Sequence, residues 1–194
     1  WPGQSFLNEE FTIDNLTTQR KQKQFDIIHL ATHGEFLAGG ANRSYIQFWD
    51  KKLWLDELRE LRLDQPTVEL LVLSSCTTAV GDEDAELGFA GLAIQAGVKS
   101  ALASLWYVSD VGTLGLMSTF YDALLQSPIK AEALRQAQLA MLEGKVRLEN
   151  GKLVYQKKTI TADVELPPEI AARGDVSLSH PFYWAGFTLI GSPW

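Results

Sequence analysis

Two apolar runs dominate the hydropathy pattern: Phe25-Asp26-Ile27-Ile28-His29-Leu30-Ala31-Thr32-His33-Gly34 and Val68-Glu69-Leu70-Leu71-Val72-Leu73-Ser74-Ser75-Cys76. Each is short, rich in Leu or β-branched residues, and bounded by polar or small residues. That is the pattern of a strand covered on both faces in a parallel sheet. Lys99 to Trp106 and Phe182 to Ile190 predict two further strands, the last introduced by His180-Pro181. Between them the periodicity changes to three and four. Thr12 is placed to cap a helix running to about Lys23, with Ile13 and Leu16 inward. A second helix runs from about Leu87 to Ala96 and stops at Gly97. A third turns Leu114, Met117, Phe120, Tyr121 and Leu124 inward, and a fourth spans Ile129 to Glu143. Strands alternating with helices predict an α/β fold, a three-layer sandwich with a mostly parallel sheet and helices on both faces. Its four core strands end near His33, Cys76, Trp106 and Ile190.

The remaining segments read as excursions. Glu35 to Ser44, with Gly39 and Gly40, predicts a flexible loop beside His33. Tyr45 to Trp49 and Leu53 to Leu55 predict a small β-hairpin insertion, after which Asp56 caps Glu57 to Leu61. Thr77 to Glu86 is a polar loop carrying Asp82, Glu83 and Asp84. Asn150-Gly151, between Val146-Arg147-Leu148 and Lys152 to Tyr155, is a two-residue hairpin signal. Thr159 to Ser179 reads as a surface loop.

At 194 residues, 46% hydrophobic and 21% charged, the chain suits one globular domain with a sizeable core. It has neither a run of about 18 apolar residues nor a signal-peptide pattern, so a cytoplasmic location without a membrane segment is the default expectation. The formal net charge of -7 argues against nucleic-acid binding. The local exception, Arg20-Lys21-Gln22-Lys23, is explained as a solvated helix end, since cations suit helix C-termini. The chain starts at Trp1 without an initiator methionine, which suggests an excised segment. One cysteine excludes an internal disulfide and any multi-cysteine metal site, and the three histidines lack paired ligand spacing. No phosphate-binding loop is present, so neither a metal nor a cofactor is expected.

Side chains at the carboxyl ends of parallel strands gather along one sheet edge. His33 and Cys76 are therefore expected as neighbours, an imidazole base beside a thiol nucleophile. The competing reading of Cys76 is a small buried hydrophobe at a strand end. His29 shares the face of His33 but lies deep in the strand, where a core role is expected. His180, before a proline, is expected to serve a turn.

The blocks HLATHG, LLVLSSCTTAVGD, ELGFAGLAIQAGVKSALASLWYVSD and HPFYWAGFTLIGSPW resemble the CHAT family, caspase-like cysteine peptidases often found behind tetratricopeptide repeats and abundant in cyanobacteria. The likeness runs from about Gly3 to Trp194. It implies a caspase-like sandwich in which residues 1–194 are the catalytic, carboxyl-terminal portion, with the amino-terminal part of the module and any repeats outside this chain. It further implies a cysteine endopeptidase in which His33 and Cys76 act as a dyad through a thioester, with backbone N–H groups of Gly34 and Cys76 as the oxyanion hole. The 43 positions between the two residues (76 minus 33) come close to the roughly 50 of the caspase signature. The local motif Ser-Ser-Cys-Thr-Thr departs from that signature, so aspartate preference does not carry over. Leu105-Trp106-Tyr107-Val108-Ser109-Asp110 resembles the corresponding segment of separase, which cleaves after arginine. Asp110 is thereby a candidate for binding a basic side chain, against the alternative that it caps the following helix. The partners implied are a protein or peptide substrate and a repeat region or regulatory protein. The alternative function is a scaffold that keeps the fold and binds a partner without cutting it; a fragment inactive without its missing parts is a third.

Overall fold

A computed structural model describes residues 3–36, 41–74, 77–78, 91–156, 158–159, 166, 168–172 and 174–194. Two compact units divide the chain: Trp1–Tyr107 with Thr188–Ser192, and Val108–Phe187 with Pro193–Trp194.

The first unit contains, in chain order, α1 (Ile13–Gln22), β1 (Ile27–Leu30), β2 (Gly34–Phe36), β3 (Tyr45–Gln47), β4 (Lys52–Trp54), β5 (Leu70–Leu73), β6 (Thr77–Thr78), a helix α2 described over 91–95, and β7 (Ser100–Ser104). Helix α1 starts as its sequence predicts, with Thr12 Oγ1 accepting from the Asn15 N–H at 3.1 Å. Thr12→Ala is expected to lower stability by about 1 kcal/mol, read as an earlier urea midpoint at unchanged slope.

The central sheet has the order β1-β5-β7-β12, the last strand being Phe187–Gly191. β1 pairs in parallel with β5 and β5 in parallel with β7. The fold is thus mixed α/β with a mostly parallel central sheet and helices, as the alternation predicts. All four residues of β5 are buried, which explains why this run shows no hydrophobic alternation. Ile28, Leu30, Leu71, Leu73 and Ala101 share a core with Val98, Ala93 and the buried leucines 55, 58 and 61. Gly97, with φ +99°, ends the α2 region, and a Cβ there would lie 2.5 Å from that of Asp64. Only glycine fits both the backbone conformation and the space.

Several local expectations change. The loop predicted to start at Glu35 instead begins with strand β2 and contains a short 3-10 helix at Ala41–Arg43. β2 adds to the predicted hairpin, giving a second sheet ordered β4-β3-β2-β6. Leu55–Leu61 forms a 3-10 helix whose N-cap position is Trp54, not Asp56; the Trp54 N–H donates to Glu57 Oε2 at 3.2 Å. The basic cluster also differs at one member. Arg20 is 5% exposed, and its guanidinium donates to the carbonyls of Leu61, Arg62 and Pro66. Burial lowers its pKa while the Asp64 carboxylate raises it. Lys21 and Lys23 remain on the surface.

The second unit contains α3 (Asp110–Gln126), α4 (Lys130–Leu142), β8 (Val146–Glu149), β9 (Lys152–Tyr155), β10 (Lys158–Thr159), α5 (Pro168–Ala171) and β11 (Val176–Ser177). The predicted hairpin closes on Asn150 (φ 52°) and Gly151 (φ 70°), both left-handed as an Asn-Gly turn requires. β11 pairs with β8, so part of the expected 159–179 loop is ordered against the hairpin. Helix α3 buries Gly112, Gly115, Leu116, Thr119 and Ala123 besides the predicted Met117 and Phe120. Its buried surface is broader than a one-sided amphipathic stripe. The final strand begins at Phe187, because Pro181–Tyr183 forms a 3-10 turn first.

Candidate active site

Strand β1 ends at Leu30, opposite Leu73 of β5, three residues short of His33. The run predicted as one strand therefore serves two sheets. Beyond Leu30 the chain leaves the central sheet and re-pairs as β2, where Glu35 lies opposite Tyr45 on one side and Thr77 on the other. The pairing with β6 is parallel, like that of β1 with β5. The histidine and cysteine segments are thus zipped twice, at Leu30↔Leu73 and again at Glu35↔Thr77.

His33 lies between these pairs and is exposed. Its carbonyl accepts from the Gln47 N–H at 2.8 Å, while Thr32 Oγ1 donates to the Gln47 carbonyl at 2.6 Å. The first ties the histidine backbone to β3, and the second ties the preceding threonine side chain to the same residue. The hairpin insertion is therefore a brace for His33. Gly34, buried and opposite Ile46, continues directly from it into β2. Cys76 lies outside the described residues, as do Ser75 and the acids at 82–84.

The alternation read from sequence persists: His29, Ala31 and His33 are exposed, and Ile28 and Leu30 buried. His29 lies within β1 and His33 beyond its end, so they serve different places. His29 is not the enclosed core histidine expected of it. It borders a cavity of about 700 Å³ lined also by Ile27, Ala31, Thr32, Gln47 and Phe48. Its Nε2 lies 2.8 Å from Ser74 Oγ. The residue is exposed in part, yet the atoms packed around its ring hinder hydration of the charged form, and this desolvation lowers the imidazole pKa to about 4. The Ser74 contact was not foreseen from sequence, since a serine at a strand exit carries no sign of its partner 45 positions away.

Asp110 is exposed and is the first residue of α3. The N-cap position falls on Ser109, whose carbonyl accepts from the Thr113 N–H at 2.8 Å. The aspartate is thus a first-turn carboxylate, favourably placed against the helix dipole, and not at the cap position. His180 has the turn role expected of it, its Nδ1 accepting from the Phe182 N–H at 3.2 Å. Among the described residues, no cluster of three or more His, Cys, Asp or Glu is arranged to hold a metal. No described helix is long and apolar enough to cross a membrane.

The family model of the CHAT domain matches residues 1–192, nearly the whole chain. The chain belongs to the CHAT family. No curated protein matches it. CHAT domains are related to caspase-like peptidases, and in this CHAT domain the strands that precede His33 and Cys76 in the chain, β1 and β5, are adjacent and parallel.

Proposed function

We propose that the protein is a cysteine endopeptidase acting through Cys76 and His33. One observation supports this reading: the two chain segments that hold His33 and Cys76 are paired in parallel before them, at Leu30↔Leu73, and after them, at Glu35↔Thr77. Cys76 is one residue from Thr77 and His33 two from Glu35, with successive Cα atoms about 3.8 Å apart. In the reaction, His33 takes the thiol proton and the thiolate sulfur bonds to the scissile carbonyl carbon. The oxygen becomes an oxyanion held by the N–H groups of Gly34 and Cys76. When the C–N bond breaks, His33 returns the proton to the leaving amine and a thioester remains. His33 then deprotonates a water, which attacks the thioester carbon, releases the carboxylate product and restores the thiol.

The substrate is a protein or peptide, and no cofactor enters the reaction. A nucleophilic thiol stays reduced in the cytoplasm, which supports that location. A repeat region or regulatory partner is proposed to govern activity. The test is a peptide library incubated with the protein as it occurs at full length, beside a Cys76→Ala control. Cleavage lost in the control is expected; equal cleavage by both sinks the reading.

Asp110 is proposed to select a basic residue before the scissile bond. Its carboxylate is exposed at the start of α3, available for a two-pronged contact with a guanidinium. Asp110→Asn is expected to cut the preference for arginine by about 10- to 100-fold in kcat/KM. It should cost no more than about 1 kcal/mol of stability, because only a first-turn charge is lost. An unchanged library profile would restrict Asp110 to the helix terminus.

A further inference from the structure

We infer that Glu35 and Tyr45 form a subsite for a basic side chain of a bound peptide, on the sheet face that carries His33; that the peptide is a substrate rests on the peptidase reading above. Strand register brings these residues together. The pairs Gly34↔Ile46, Glu35↔Tyr45, Tyr45↔Trp54 and Gln47↔Lys52, continued by the bond from the Gln47 N–H to the His33 carbonyl, set two rows across one face of the small sheet. One row is His33, Gln47 and Lys52; the other is Glu35, Tyr45 and Trp54. Alternation agrees: Gly34, Ile46 and Leu53 on the opposite face are buried, whereas His33, Lys52 and Trp54 are exposed and Glu35, Tyr45 and Gln47 half-buried. The face thus begins at the imidazole and runs from it over two more strands. Two observations say what it would hold. The Glu35 carboxylate has no hydrogen-bond or ion-pair partner among the described residues. A cation, moreover, already lies on the neighbouring ring: Lys52 Nζ is 3.7 Å from the centre of Tyr45 and 5.8 Å from that of Trp54, and the two rings meet edge to face at 5.6 Å. The negative face of an aromatic ring attracts such a charge. Residues directly opposite on paired strands have Cβ atoms about 5 Å apart, so one guanidinium can lie on the Tyr45 ring and fork onto the Glu35 carboxylate. Lys52 marks the place and forms only the first of these contacts.

Binding, measured without cleavage, tests this subsite separately from the reaction. Two short fluorescein-labelled peptides, one an Arg-Ser repeat and one a Glu-Ser repeat, are titrated by anisotropy against the full-length protein carrying Cys76→Ala. In that background Glu35→Gln is expected to raise the Kd of the Arg-Ser peptide about fivefold, and Tyr45→Leu about threefold. Lys52→Met removes the cation that occupies the ring and should lower the same Kd about threefold. Glu60→Gln deletes an equal charge from the exposed surface of the 3-10 helix Leu55–Leu61, outside this sheet, and should leave the Kd unchanged. The Glu-Ser peptide should bind no worse after Glu35→Gln. Thermal melts confirm that each variant is folded; all four positions lie at the surface or half-buried, so none removes a core side chain. Failure of the Arg-Ser peptide to bind, the same Kd with and without Glu35, weaker binding in Lys52→Met, or an equal rise in Glu60→Gln would overturn the inference, the last because net charge alone would then explain it. Glu35-dependent binding in a protein that leaves a peptide library uncut would end the peptidase reading and keep the subsite. Cleavage lost with Cys76 but indifferent to Glu35 would do the reverse.

Discussion

Cys76→Ala and His33→Ala are each expected to reduce cleavage at least about a thousandfold, and the double variant to be no worse than either. The reason is chemical interdependence. Without the imidazole the thiol stays largely protonated near neutral pH, and the leaving amine lacks its proton donor. Without the sulfur, the imidazole has nothing to activate along this route. Far-UV dichroism should be preserved in both, since His33 is exposed and bound to β3 through its backbone carbonyl, which alanine retains. Strong activity in His33→Ala together with loss in His29→Ala would exchange the roles of the two histidines. That exchange is disfavoured by register: His29 lies opposite Val72, four positions before the cysteine.

Arg20→Ala is expected to be the most destabilising charge deletion among the described residues of the first unit, at about 3 kcal/mol. Its guanidinium satisfies three carbonyls at and beyond the end of the 3-10 helix Leu55–Leu61, and alanine leaves them in a site the side chain itself had shielded. Each buried polar group left without a partner costs about 1–3 kcal/mol, partly recovered where water enters the space. A fall of roughly 10 °C in melting temperature corresponds to this loss. Arg20→Lys should recover little, since one ammonium cannot reproduce a planar fork that spans three acceptors. A melting temperature within about two degrees of wild type would show that the carbonyls are equally well served by water.

The strands and helices that build the site were legible in the sequence because each is decided locally. Thr12, the Asn150-Gly151 turn and the stop at Gly97 are choices of one or two residues, dictated by a hydroxyl acceptor or by left-handed backbone. The buried run at 70–73 announced an interior strand because burial on both faces abolishes alternation. Alternation along 28–33 correctly put His29 and His33 on one face.

What the sequence determined by itself was thus the order of the core strands and helices and the mostly parallel character of the sheet. Family resemblance supplied the expected roles of His33 and Cys76, and the family match over residues 1–192 establishes membership. Only the tertiary structure decided that the chain changes sheets after Leu30, that Gln47 braces the histidine, that His29 joins Ser74, and that Arg20 is buried. The physical reason is separation along the chain. These contacts link residues 10 to 46 positions apart, and polar side chains of this kind look alike in sequence whether they face water or a distant carbonyl. Periodicity reports which face of an element is apolar; it carries no information about which partner a polar group meets across the fold.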